Sequence, residues 1–397
     1  MFNFLKKRVY LDYAAATPTR SEVVRAMKPY WSESFANPSA IHREGTTARD
    51  AIEGAREKVA RTLRVRAHDV IFTSGGTEGN NLALKGAVAA MRDGGVATEE
   101  IEIISLATEH PSILGSLEEL SKEGCKVIYA PIDEDGLLLI EEFKKLLSPR
   151  TRLVTIAYAN SETGVVQDIG RIARAIKAFE KESGIMVLFH TDACQAPLWL
   201  PCALDSLGVD MMTLDAGKCE GPKGVGILVA RARVKLGAVS AGGAQERSLR
   251  PGTEPVPLIV GAATALALAQ AGYETRTAAV SSLRDRAIED LLKLEGVIIN
   301  GSKQERLANN INISIPGFDS EFAVVVLDQN GVAASTKSAC AGKGSGRSHV
   351  VFAMTKDEVR ARSTLRFTLG PATNAKDLKR VVGLLATHLK KLRDFPL

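Results

Sequence analysis

Along the middle of the chain, short runs that are apolar at every position alternate with longer segments whose apolar positions recur every three or four residues. "VIFTS" (70–74) is followed by "GNNLALKGAVAAM" (79–91), and "IEIISLA" (101–107) by "SILGSLEELSKEG" (112–124), which stops at a glycine. "KVIYAPI" precedes a helical segment through "IEEFKKLL", "TRLVTIAYA" (151–159) precedes "IGRIARAIKAFEKES" (169–183), and "IMVLFHTD" (185–192) follows. Continuous apolar runs belong to strands covered on both faces, so the alternation predicts a mostly parallel sheet sandwiched by helices. Two further runs, Val209 to Leu214 and Val225 to Val229, flank "LDAGKCEGPKG" (214–224). That stretch reads either as a charged, glycine-rich connection between strands or as part of an active site. Ligands of such sheets bind beyond the carboxyl ends of the strands, so the polar residues just past each apolar run carry the functional question.

After about residue 260 the texture changes. A long helical region (257–294) leads to "GVIIN", "NNINISIPG", "EFAVVVLDQNGV" and "STLRFTLG", with a closing helix over 375–392. The expected organisation is a large domain over 13–258. A smaller α+β domain is expected from 1–12 and 259–397, carrying a loop at about 334–350. The 397 residues are 45% hydrophobic and 24% charged, enough for two cores. The net charge of +5 is mixed along the chain and aromatics are only 5%, so no nucleic-acid partner is expected. Five cysteines without paired spacing exclude a disulfide scaffold or zinc ribbon and point to reduced thiols in the cytoplasm. The start lacks the apolar core of a signal peptide, and the most apolar stretch, Val256 to Ala271, is too short to span a bilayer, so no membrane association is expected.

Several strand ends carry chemistry. In "SGGTEGNN" (74–81), Gly76 lets backbone amides approach an anion and Thr77 offers a hydroxyl, although a capped strand–helix turn has the same appearance. Asp192 ends a strongly apolar run, and a carboxylate there needs a partner: a protonated ring nitrogen, an N-cap or a salt bridge. Lys218 follows the next strand and is placed to condense with an aldehyde. Anion cradle, strand-end Asp and strand-end Lys, in that order, are what a pyridoxal phosphate site on a parallel sheet requires. His110 in "ATEHPS" is able to stack on a flat ring or to cap a helix. Cys340 lies in "ASTKSACAGKGSGRSHV" (334–350), a loop composition with Lys337, Lys343 and Arg347 near it, which favours a thiolate.

These motifs resemble those of the NifS/IscS-type cysteine desulfurases, class-V aminotransferases of pyridoxal phosphate fold type I. The resemblance runs in order through "VYLDYAAATP", "NPSAIHREG", "FTSGGTEGNNLALKG", "TEHPSIL", "GVVQDIGRI", "HTDACQAP", "GPKGVGIL", "GGAQERSLRPGTE", "SACAGKGSGRSHV" and "LRFTLG", nearly the whole chain. It implies a large domain with a mostly parallel seven-stranded sheet plus a smaller C-terminal α+β domain. It implies Lys218 as the Schiff-base lysine, Asp192 as partner of the pyridine nitrogen, Gln195 near the ring's phenolic oxygen and His110 stacked on the ring. Gly76 and Thr77 would cradle the phosphate, and Thr253 would reach it from a neighbouring subunit, which implies a homodimer. Arg366 would grip the carboxylate of L-cysteine, and Cys340 would take its sulfur as a persulfide for an iron–sulfur scaffold or a tRNA-thiolation protein. Lys223 matches a non-catalytic position.

Departures from the family pattern cluster at 215–220, where Asp215-Ala216-Gly217-Lys218 replaces the usual Ser-Gly-His-Lys and Cys219-Glu220 the large apolar or aromatic pair that follows it. Asp215 stands where a phosphate-binding serine is usual, Gly217 where a histidine is usual, and Ser161 where an asparagine beside ring and substrate is usual. Asp215 brings a negative charge to a phosphate site, for which Lys223 or backbone amides would compensate. The alternatives to a desulfurase are a related lyase acting on selenocysteine or cystine, and a non-catalytic binding paralogue.

Overall fold

The computed structural model describes residues 8–336 and 346–394. Its largest sheet has seven strands: β2 (Val70–Thr73), β3 (Glu102–Ser105), β4 (Lys126–Tyr129), β5 (Thr151–Thr155), β6 (Leu188–Asp192), β7 (Met211–Asp215) and β8 (Gly226–Ala230). The remaining strand pairs are formed by β1 (Val9–Tyr10), β9 (Ile298–Ile299), β10 (Asn310–Ser314), β11 (Val332–Ala333) and β12 (Thr364–Thr368). The spatial order of the large sheet is β2-β8-β7-β6-β5-β3-β4, and only β8 runs against its neighbours. The carboxyl ends of β2, β3, β5, β6 and β7 therefore meet along one edge.

The local sequence explains this arrangement. β2, β3 and β6 are buried at every position, Glu102, His190 and Asp192 included, whereas the outer strand β4 has exposed ends. Helices cover both faces. Val154, Phe189 and Met212 share a core with Ile52, Ile172 and Ile259, while Ile103, Leu153 and Leu188 pack with Leu84 and Leu117 on the other side. "LDAGKCEGPKG" joins the antiparallel pair β7–β8. Gly226 opens β8 because a Cβ there would lie 2.5 Å from the Gly75 carbonyl carbon, so the turn after β2 is pressed onto β8.

The second expected texture forms an antiparallel sheet of order β12-β10-β9. The beginning of the chain joins it. β1 pairs in parallel with β11, Asp12 bridges to Thr368, and Val9 and Leu11 pack with Ile311, Leu365 and Phe367. The long helical region is two helices, Val256–Ala271 and Tyr273–Leu292, bent by 67°. Among the described residues no single helix is long and apolar enough to cross a membrane. Val256–Ala271 is apolar because it is wedged inside the fold, with Ile259, Ala262, Ala263 and Leu266 buried.

Phe189 is 1% exposed at the centre of β6, the strand that carries Asp192. Phe189→Ala is expected to lower unfolding stability by about 3–5 kcal/mol through lost transfer energy and a residual cavity, read as a fall in the urea midpoint.

Candidate active site

The ends of four strands, β3, β5, β6 and β7, feed one pocket, lined by His110, Ala157, Ala159, Asn160, Ser161, Asp192, Cys194, Gln195 and Lys218. Asp192 is the last residue of β6, and β7 runs beside it with Thr213 opposite. Two residues after Thr213, the Asp215 side chain accepts the Gly217 N–H at 2.8 Å and starts a single tight turn, Ala216–Lys218, that ends on Lys218. Strand order and this turn bring residues 192 and 218 to the same pocket.

The Asp192 carboxylate is buried and fully held. Oδ1 accepts the Cys194 N–H at 2.9 Å, and Oδ2 accepts Asn80 Nδ2–H at 2.8 Å. Burial by itself raises its pKa, but Lys218, His110 and the Cys194 hydrogen bond outweigh burial and hold the carboxyl below its ordinary value. Asp192 is thus a charged acceptor at neutral pH.

Asn80 carries the connection further. Its amide also donates to Ser112 Oγ at 2.9 Å, and Ser112 Oγ lies 2.8 Å from His110 Nδ1. His110 caps the helix Pro111–Lys122, its Nδ1 accepting the Ser112 N–H at 3.2 Å, which leaves the proton of the neutral ring on Nε2. Burial first, and then the Lys218 charge, push the His110 pKa below its usual range. The imidazole is neutral at pH 7. Of the residues in this chain of contacts, sequence reasoning singled out Asp192 and His110 and missed Asn80 and Ser112. Asn80 lies on the helix Gly76–Asp93 that was legible, but which face it would present to β6 was not.

Glu109 was also missed. It is 1% exposed, Oε1 accepts the Ala157 N–H at 2.8 Å, and Oε2 has no hydrogen-bond partner. Burial, aided by the Asp192 charge, raises its pKa to about 8. Two buried acids within electrostatic reach of each other thus hold opposite protonation states at neutral pH.

Arg366, on β12, is fully buried. Nη1 donates to the Ser161 carbonyl at 2.9 Å and Nη2 to Asp12 Oδ1 at 2.8 Å, while Nε lacks a hydrogen-bond partner. The guanidinium joins the small sheet to the pocket wall at Ser161. Gln195 lines the pocket, its Nε2 donating to the Ala14 carbonyl at 3.0 Å. Thr77 is exposed on the first turn of the helix Gly76–Asp93. Thr253 lies on an exposed stretch before the helix Val256–Ala271 and does not line this chain's pocket. Lys223 does not compensate Asp215, because its Nζ donates to the Thr17 carbonyl. Asp215 Oδ2 instead accepts the Gly76 N–H at 3.0 Å.

Cys340, Lys337 and Lys343 lie outside the described residues. The other four cysteines, Cys125, Cys194, Cys202 and Cys219, are buried free thiols, and burial pushes each pKa up. Among the described residues no group of His, Cys, Asp and Glu is arranged to hold a metal ion.

A charged, buried acceptor, an amine within its electrostatic reach and a neutral imidazole fit the ring and aldehyde of pyridoxal phosphate. Fold and site together define a pyridoxal-phosphate-dependent enzyme of fold type I. The chain belongs to the class-V aminotransferase family, whose model matches residues 9–381. It is 39% identical to the cysteine desulfurase IscS of Dictyoglomus turgidum, over 98% of this chain and 96% of that one. It is likewise 39% identical to the IscS of Methanosarcina thermophila, over 98% and 93%. Among solved structures, a NifS-like protein superposes with TM-score 0.89 at 32% identity, over 97% of this chain and 100% of the other. SspA in complex with cysteine superposes with TM-score 0.76 at 34% identity, over 92% and 100%.

Glu109 yields a testable linkage. A carboxyl with a raised native pKa binds its proton more tightly in the folded chain, so its stabilising contribution is complete below pH 4.5 and is lost as pH rises to about 8. Glu109→Gln is expected to lose less stability than the parent between pH 5 and 8.5, measured as the change in urea midpoint across that interval.

Proposed function

We propose that the chain is a cysteine desulfurase, converting L-cysteine to L-alanine and passing the sulfur on as a persulfide of Cys340. One observation carries this reading: Lys218, Asp192 and His110 line or reach a single pocket whose wall, at Ser161, is bonded to Arg366 of the small sheet. The two curated relatives named above are cysteine desulfurases, and one structural neighbour is described with cysteine.

Lys218 would hold the cofactor's aldehyde carbon and Asp192 its pyridine nitrogen, with His110 over the ring and Gln195 near the phenolic oxygen. Gly76, Thr77 and the turn at Asp215 would hold the phosphate end. When bound, pyridoxal phosphate supplies the electron sink for the charge left at the substrate Cα. Asp192 serves this because it remains charged while shielded from water. Arg366 orients the substrate through its carboxylate: Nε–H and Nη2–H form a fork matching two carboxylate oxygens, with Asp12 as the acceptor to be exchanged. Lys218 Nζ would take the Cα proton. The Cys340 thiolate then attacks the substrate sulfur. An S–S bond forms and the Cβ–S bond breaks; Cβ gains a proton and Cα regains from Lys218 the one it lost, to give alanine. With the four described cysteines buried as thiols, the sequence leaves Cys340 for this step.

The acting form is a cytoplasmic homodimer in which Thr253 serves the neighbouring subunit's site, and the small domain over 1–12 and 259–397 carries the Cys340 loop. The sulfur acceptor is an iron–sulfur scaffold or a tRNA-thiolation protein.

Borohydride is expected to fix the cofactor covalently to the parent and to Lys223→Ala, but not to Lys218→Ala. Retained fixation in Lys218→Ala would show that the wrong lysine is assigned. Cys340→Ser is expected to bind the cofactor normally and to reduce sulfide release from L-cysteine by about a hundredfold or more, as loss of an essential nucleophile does. An unchanged rate would favour a lyase that needs no protein thiol.

A further inference from the structure

The amide cradle at the start of the helix Gly76–Asp93 already carries an anion, and it belongs to the chain. Asp215 Oδ2 accepts the Gly76 N–H at 3.0 Å while Oδ1 accepts the Gly217 N–H at 2.8 Å. The Gly76 amide is one of the first-turn donors without an intrahelical acceptor, the kind an incoming phosphate would use. A Cβ built on Gly75 or Gly76 would lie 3.5 Å from Asp215 Oδ2, so the carboxylate fills the space before both glycines. A second acid is close by: Glu78 accepts the Ser74 N–H and pairs with Arg250 at 3.5 Å. Lys223, whose Cγ is 3.4 Å from a Cβ built on Gly217, directs its ammonium to the Thr17 carbonyl instead.

We propose that Asp215 is an internal competitor for the cofactor's phosphate, occupying the Gly76 amide in its place, so that this chain discriminates weakly between pyridoxal phosphate and unphosphorylated pyridoxal. The inference rests on the cofactor site assigned above. A dianion entering the cradle must displace the carboxylate from Gly76 and then remain close to it. The hydrogen bond gained replaces one lost, and the two negative charges repel. Pyridoxal leaves Asp215 on both amides and meets neither cost. Asp215 is therefore a specificity-determining residue, and it acts at the end of the cofactor far from the reacting carbon.

Equilibrium titration of the full-length apoprotein with pyridoxal phosphate and, separately, with pyridoxal tests this. For the unmutated chain the two dissociation constants are expected to differ by less than about a hundredfold, since several unopposed charge-assisted hydrogen bonds would separate them further. A larger separation overturns the proposal. Asp215→Ser, and the isosteric Asp215→Asn, are expected to tighten pyridoxal phosphate by about tenfold or more while changing pyridoxal by less than about threefold. Circular dichroism melting identifies the folded variants. If folded variants bind pyridoxal phosphate no more tightly than the parent, or tighten both aldehydes equally, Asp215 is not a competitor. If neither aldehyde binds the parent or the variants, the cofactor assignment itself fails, and the proposal with it.

Discussion

The site depends on keeping one carboxylate charged where water does not reach it. Asp192 is buried at the end of an apolar strand, and burial alone would favour its neutral form. The Lys218 charge first, then His110 and the Cys194 hydrogen bond, reverse that preference, while Asn80 donates to the same carboxylate. These contributions come from different parts of the chain, and the parallel sheet is what assembles them. With only β8 reversed, strand ends distant in sequence share one edge, and the turn after β7 returns Lys218 to the pocket that Asp192 lines.

Electrostatic contrast runs through the acids around the pocket. Glu109 and Asp192 are both buried carboxyls, yet one is pushed up to about 8 and the other is held below its usual value. The difference follows from partners: Glu109 receives one backbone N–H, whereas Asp192 receives two donors and lies near an ammonium. Separating the states of neighbouring acids in this way avoids two buried like charges. Asp215 completes the pattern with two backbone amides as its partners. In the cofactor site proposed above, the same hydrogen bonds that satisfy this acid put it where the phosphate would enter.

Much of this was legible in the sequence. Apolar runs announced the covered strands, and the polar residues ending or following them pointed to Asp192, Lys218 and His110, which line one pocket. The observed strands differ by a few residues, as with β5, which ends at Thr155 where the apolar run continues to Ala159. What the sequence did not show depends on contacts across long separations. Arg366 meets Asp12 across 354 positions, and Asp215 meets Gly76 across 139. Asn80 reads as a polar residue on an amphipathic helix until the helix is laid against β6. Glu109, one position before a residue already singled out, is buried and accepts the Ala157 N–H across 48 positions, which no local pattern encodes. Lys223 was a reasonable counter-charge for Asp215 by proximity in sequence, but the fold turns it to Thr17.

The central claim is that the pocket delivers substrate sulfur to a specific thiol of this chain. Peptide mass spectrometry of the cofactor-loaded protein after brief exposure to sulfur-isotope-labelled L-cysteine tests it most directly. The account predicts one labelled sulfur atom on the peptide containing Cys340, removable by a thiol reductant, with Cys125, Cys194, Cys202 and Cys219 unlabelled. Release of labelled sulfide with no label on Cys340, or label on a buried cysteine instead, would contradict it.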